Sequence, residues 1–201
     1  MVKQDPRPYK MSFSTGGLFL NESVEVARLH EAGEPWEDTI VTALSEGAAS
    51  LPKTASQRRS LREIVNRLSA LTDDELAFLA TTDDRTDQQA LLWLAACRAY
   101  RFVWEFAVEV VRDRHLSYRL DLPVESFNIL WNEKADWHEG LNDISHSTRL
   151  KLRQVLFRMM REAGILSNDN TIQTAYLTPR VKSLIADTRP TDLAIFPGIQ
   201  V

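Results

Sequence analysis

Cysteine is nearly absent from this sequence: Cys97 stands alone among 201 residues. An intramolecular disulfide is therefore excluded, as is a metal site built on several thiolates. Its place inside an apolar run marks Cys97 as a buried core thiol rather than a nucleophile. Glycine and proline are scarce, at 7 and 8 residues, which together with abundant Ala, Leu, Glu and Arg favours helix over turn-rich β structure. The N-terminal "MVKQDPRPYK" carries charges and prolines but no apolar stretch of the kind that directs secretion. Cytoplasm is the expected location.

The signatures of catalysis are missing too. The chain has no Gly-x-Ser-x-Gly elbow, no His-Glu-x-x-His, no His/Cys cluster and no Walker motif. Gly16-Gly17, in "SFSTGGLFLNES", suggests a phosphate loop, but Leu18-Phe19-Leu20 follow where Gly-Lys-Ser/Thr is required, and a dinucleotide fingerprint needs further glycines. The pair reads as a turn between two segments. Asp83, Asp84 and Asp87 have the Asp-Asp-x-x-Asp spacing that holds magnesium diphosphate elsewhere. Here they stand at a helix mouth, where carboxylates satisfy free amides and complement the dipole. His138 and His146, with Glu139 and Asp143 between them, lie in a loop whose spacing selects no metal. No catalytic residue, no metal and no cofactor is expected.

What the sequence does have is helix after helix. Residues 21–32 end at Gly33; "PWEDTIVTALSEG" has acids in its first turn and Gly47 at its end. Leu61, Ile64, Val65 and Leu68 form one apolar face of a third helix, with Arg58, Arg59, Arg62 and Arg67 on its other side. "TDDELAFLATT" is a fourth, in which Thr72 and Glu75 form a capping box. A central helix then spans about Gln88 to Asp113. Between Ala90 and Val111 only Arg98, Arg101, Glu105 and Glu109 interrupt its apolar surface, as one narrow stripe. Such a helix is packed on several sides. It does not cross a membrane, because the charges break the run before the roughly 20 residues needed. Arg101 and Glu105 are placed to pair at i,i+4.

After the linker "RHLSYRLDLP", Pro123 starts a helix with Phe127, Leu130 and Trp131 on one face, which Trp137 can extend. Ser145 or Ser147 caps "STRLKLRQVLFRMMREAG", which ends at Gly164. At 100° per residue, Leu152, Val155, Leu156, Met159, Met160 and Ala163 fall on one side of it. Lys151, Gln154, Arg158 and Arg161 fall opposite, with Arg149 and Arg153 along a flank. "GIL", a polar turn "SNDN" and the alternation of Ile172, Thr174 and Tyr176 predict a two-stranded hairpin. Pro179 to Asp187 is one more short helix, bearing Arg180 and Lys182. Helix, loop, basic helix, hairpin is the order of a winged-helix module, whose second helix enters the DNA major groove.

The expected fold is therefore mainly α: a helical bundle body over residues 1–118, and over 119–201 a C-terminal winged-helix-like module containing a short β-hairpin. Charge follows the same division. Residues 1–144 carry 16 Lys+Arg against 24 Asp+Glu, a net of −8, whereas residues 145–201 carry 8 against 4, a net of +4. A basic C-terminal part on an acidic body points to a polyanion partner.

The blocks "YKMSFSTGGLFLNES" and "ALTDDELAFLATTDDRTDQQALLWLAACRAYRFVWEFAVEVVRDRHL" resemble the BrxA family, small accessory proteins of bacterial BREX phage-defence systems. The resemblance extends over essentially the whole chain. It implies a largely helical cytoplasmic component of a multigene system that methylates host DNA and blocks phage, with no catalytic residues. It also implies nucleic-acid binding, including a likeness to the helical RNA-binding antitermination factor NusB. Three functions follow as expectations. The first is a non-enzymatic double-stranded DNA-binding accessory protein using Arg149, Lys151, Arg153, Gln154, Arg158, Arg161, Arg180 and Lys182. The second is a NusB-like RNA surface at Arg58, Arg59, Arg62 and Arg67. The third is a docking subunit whose acidic body holds other BREX proteins. No membrane contact is expected in any of them.

Overall fold

The computed structural model describes residues 8–46 and 57–200. Ten α-helices are formed among them: α1 Leu20–Leu29, α2 Trp36–Glu46, α3 Gln57–Leu68, α4 Asp73–Thr81, α5 Arg85–Ala99, α6 Arg101–Glu105, α7 Asp113–Leu116, α8 Glu125–Ala135, α9 His146–Glu162 and α10 Pro179–Thr188. A π-helical segment, Phe106–Arg112, joins α6 to α7, and short 3-10 turns lie at Glu139–Leu141 and Pro190–Ile195. Gly47 lies outside the described residues.

Local chemistry sets most helix starts. At α4 the Thr72 hydroxyl accepts the Glu75 amide and the Glu75 carboxylate accepts the Thr72 amide, a complete capping box. Asp84 caps α5 by accepting the Thr86 and Asp87 amides, so the second acid of the Asp-Asp-x-x-Asp run serves the backbone, while exposed Asp83 pairs with Arg28 at 3.3 Å. Asp87 itself is buried and accepts the Thr178 hydroxyl at 2.7 Å. Ser145 caps α9, and Thr178 followed by Pro179 opens α10.

α5 is the hub. It packs against α1, α3, α4, α9, α10 and the C-terminal 3-10 turn, and residues 90–97 are all buried. Cys97 lies there, and burial pushes its thiol well up. The central helix is not continuous, however. It breaks at Tyr100, whose backbone is extended (φ −129°, ψ 101°). The reason is tertiary: the Tyr100 hydroxyl donates to Glu63 at 2.5 Å and accepts from Asn66 at 3.0 Å, with the ring fully buried. Beyond the break the π register places Phe106 and Val111, five residues apart, on the same fully buried side.

Arg98 and Arg101 part company as a result. Arg98 turns inward and makes a buried triad, bidentate to Glu75 (2.5 and 2.9 Å) and bonded to Asp192 at 2.6 Å. Arg101 and Glu105 do pair, at 3.3 Å. Trp137 does not extend the buried face of α8; it stands just past the helix end and is 68% exposed.

The expected two-stranded hairpin is not formed as a sheet. No sheet is assigned among the described residues; antiparallel bridges join Leu166 to Ile172 and Asp121 to Thr171. Around the turn Ser167–Asn170, the Ser167 amide donates to Thr171 O and the Gln173 amide to Ile165 O. Pairing stops there because the next amides find other partners: the Ile165 amide bonds Met160 O and the Ala175 amide bonds Pro197 O, while the Ile172 amide, on the opposite edge, bonds Leu120 O.

The double glycine is a close-approach site. Gly16 has φ +68°, and an added Cβ would overlap the Phe19 ring. Gly17 faces the Glu162 carboxylate of α9 with no room for a side chain in between. The Leu18 amide donates to that carboxylate at 2.5 Å, so an internal anion takes what a phosphate loop would offer a ligand.

Candidate nucleic-acid interface

α9 is buried over a wide arc. Leu152, Leu156, Met159 and Met160 are fully buried, and Val155 and Phe157 nearly so, with Phe157 tilted against Phe106 at 6.2 Å. What remains outward is narrow and basic. Lys151 and Gln154 are exposed and Arg153 half-exposed, and none of the three has a hydrogen-bond or ion-pair partner among the described residues. Arg158 is 63% exposed and donates through Nε to Glu162 at 2.7 Å, one turn on.

The other two arginines of α9 have structural contacts. Arg149 reaches back to α8, donating to Asn128 O at 3.2 Å and Asn132 Oδ1 at 2.7 Å beside the Trp131 ring. Burial, and then the neighbouring charge of Arg153, lower its pKa. Arg161 donates to Asn170 Oδ1 at 2.5 Å and lies 6.0 Å from the Phe157 ring. It thereby ties α9 to the Ser167–Asn170 turn. On α10, Lys182 is exposed with no side-chain partner among the described residues, and exposed Arg180 lies 5.9 Å from the Phe78 ring.

The second basic face is smaller than its sequence suggests. Arg58, Arg59 and Arg62 are exposed on α3, and Arg59 reaches Ser14 Oγ at 3.4 Å. Arg67 does not share that face. It is buried, donating to Glu63 at 2.8 Å and to Gly17 O at 2.5 Å between the Phe19 and Tyr100 rings. A guanidinium can satisfy a buried carboxylate and a carbonyl together, and Glu63, one turn before Arg67, was the local sign of it.

Sequence reading missed the partners that orient the basic helix. The Glu162 contact to Arg158 is legible as i,i+4 spacing. Asn132 and Asn170 come from other elements, and only the fold brings them there. The outward face of α9 offers cations and one amide, a set suited to positioning on phosphates with little base reading.

Comparison with known proteins places this geometry in context. The BrxA family model matches residues 7–189. A protein of Escherichia coli O9:H4 (strain HS) named BREX protein BrxA is 28% identical over 198 residues, covering 96% of this chain and 91% of its own. One of the same name from Bacillus cereus (strain H3081.97) is 26% identical over 168 residues, covering 84% and 82%. A crystal structure of an uncharacterized protein from Magnetospirillum magneticum matches with a TM-score of 0.76 at 19% identity, covering 94% of this chain and 98% of that one. That likeness concerns the fold alone.

Proposed function

The chain belongs to the BrxA family, and from that premise we propose a non-catalytic component of a BREX phage-defence system that binds double-stranded DNA through α9. The observation that carries the reading is the set Lys151, Arg153 and Gln154, outward-facing and without side-chain partners among the described residues, with Arg158 beside them. Element order supports it. α7, an extended piece at Asp121, α8, α9, an extended piece at Leu166, a turn, and a third extended piece at Ile172 follow one another, and the last piece bridges to both earlier ones. The order is similar to that of a winged helix, with isolated bridges where strands would stand; on our reading α9 is the groove helix and Ser167–Asn170 takes the place of the wing. Arg161, bonded to Asn170, sets the angle between them. Other BREX proteins are the partners that membership implies.

Duplex binding of this kind is dominated by counterion release. Fluorescence-anisotropy titration against duplex DNA at several salt concentrations is the test, with a Lys151→Glu/Arg158→Glu variant beside the wild type. The expected result is a salt slope shallower by about 2 in the variant and an affinity lower by about tenfold or more. Unchanged affinity and slope would remove α9 as the contact surface.

A second reading, docking of other BREX proteins, rests on exposed apolar side chains. Leu116 (63% exposed), Tyr118 (91%) and Ile129 (68%) stand out around the α7–α8 region. Tyr118 has φ 56°, a conformation that bulky residues rarely hold. Co-purification with BREX proteins, lost in Tyr118→Ser, is the result this reading expects. The RNA reading keeps Arg58, Arg59 and Arg62 and is weaker without Arg67.

A further inference from the structure

Two clefts open on either side of the N-terminal segment Pro8–Lys10, and neither belongs to the α9 surface. One, of about 470 Å³, is lined by Pro8, Lys10, Ala99, Arg101, Trp104 and Arg189, with the Arg98–Asp192 pair at its base. The other, of about 310 Å³, is lined by Pro8, Tyr9, Trp137, His138 and Glu139 with the Gly140–Leu141 turn. Pro8 borders both, so the two form one surface crossed by the incoming chain.

Its chemistry is aromatic and cationic. Trp137 is 68% exposed, and Trp104 is half-buried but lines the first cleft. Arg189 is exposed with no hydrogen-bond or ion-pair partner among the described residues. Among the described residues exposed Lys10 bonds only the neutral Asn66 side chain, and no carboxylate among them cancels its charge. Arg101 lies 3.8 Å from the centre of the Tyr9 ring and 3.2 Å from His138 Nε2, fixed in place at the divide. Among the lining carboxylates, Asp192 is neutralised by Arg98, and Glu139 stays at the rim of the Trp137 side.

We infer that this surface binds single-stranded nucleic acid, with bases stacked on Trp137 and Trp104 and phosphates held by Lys10 and Arg189. Stacking platforms beside cations that follow a backbone are the means by which unpaired strands are held without sequence preference. A duplex cannot use the tryptophans, because its base faces are covered by their neighbours. The surrounding cations oppose a cationic ligand, which excludes the other common use of an aromatic cleft. A defence protein that holds a duplex on α9 would here have a separate seat for an opened strand.

A labelled short oligothymidylate, titrated by anisotropy against the full chain, tests this. Binding is expected at low salt, weakened about tenfold by Trp137→Ala. In Lys10→Glu/Arg189→Glu the salt slope should be shallower by about 1.4, two single-strand phosphate contacts. Lys151→Glu/Arg158→Glu should leave oligothymidylate binding in place, which separates this site from the α9 reading. Arg189→Glu alone alters an exposed, unpartnered side chain and carries the test should a tryptophan variant lose its fold. The inference is overturned if no binding occurs, if these substitutions leave it unchanged, or if only the α9 variant abolishes it. Thymidine monophosphate competing as well as the strand would also overturn it.

Discussion

Arg98 holds two carboxylates where almost no water reaches, and its removal would strand both. Glu75 is fully buried and Asp192 nearly so, and the guanidinium is the charge partner of both. Truncating one partner of a buried ion pair costs about 3–5 kcal/mol, most of it the penalty on the charge left behind. Arg98→Leu is expected to lower the unfolding free energy read from urea titration by that amount, whereas Arg58→Leu on the exposed side of α3 should change it little. Tyr100 gives a prediction in pH. Burial, reinforced by Glu63, pushes its hydroxyl from 10.0 up to about 12, and Tyr9 is raised for the same reasons, by burial and by Glu105. Between those pH values the folded chain keeps protons that the unfolded chain has lost, so stability is fully present below pH 10 and falls as pH rises towards 12. The slope approaches about 1.4 kcal/mol per pH unit for each tyrosine. Tyr100→Phe should reduce this alkaline slope without abolishing it, because Tyr9 remains; an identical slope in the variant would show that Tyr100 titrates normally.

Among elements, the contact with most leverage is that of the double-glycine segment on α9. Gly17 leaves space for Glu162, whose carboxylate accepts the Leu18 amide and the Arg158 guanidinium together. Gly17→Ala would push the carboxylate away and leave the amide unsatisfied, a loss of about 1–3 kcal/mol. In a Glu162→Ala background the same substitution should cost much less, and urea titrations of the four-member cycle would read the difference. Additive losses would show that the two positions are not coupled. These elements also show what was legible. Thr72 with Glu75, Ser145 before α9 and Thr178-Pro179 before α10 are local signals, and the structure uses each of them. The break at Tyr100 had no local sign, because tyrosine does not end helices; Glu63 and Asn66, distant in sequence, hold it there. The alternation of Ile172, Thr174 and Tyr176 was legible, but alternation does not say that Met160 and Pro197 would take the Ile165 and Ala175 amides and end the pairing. At the candidate site, Lys151 and Gln154 followed from helical spacing alone. For Arg67 the i,i+4 spacing to Glu63 was legible but the burial of the pair was not, since a charge facing a core carboxylate looks in sequence like one facing water.

Taken whole, the molecule is stitched across its length by contacts that run from the C-terminal residues into the N-terminal helices. Asp192 meets Arg98, the Trp93 indole donates to Ile195 O at 3.3 Å, and Thr178 meets Asp87. Val181, Ile185, Ile195 and Phe196 join the same apolar cluster as Phe13, Leu61 and Leu91. A chain ending at Tyr118 would therefore expose the Trp93 side of α5 and leave Arg98 with half of its triad. We expect such a fragment to show no cooperative urea transition, and the full chain to show one, with tryptophan fluorescence and far-UV circular dichroism giving coincident curves. Two separated transitions would mean that the C-terminal part melts on its own. Charge is divided along the sequence, but the core is shared, and the division matters for DNA. A chain of net charge −4 repels a polyanion at long range, so only a rigidly placed basic face can offset that repulsion at contact. Anchoring α9 through Leu152, Met159 and Met160 into the common core provides that rigidity. Core substitutions such as Met160→Ala, which touch no cation, should then weaken duplex affinity in proportion to the stability they remove as the helix loosens, while the salt slope stays as in the wild type. A slope that changed with them would mean that the phosphate contacts themselves had moved.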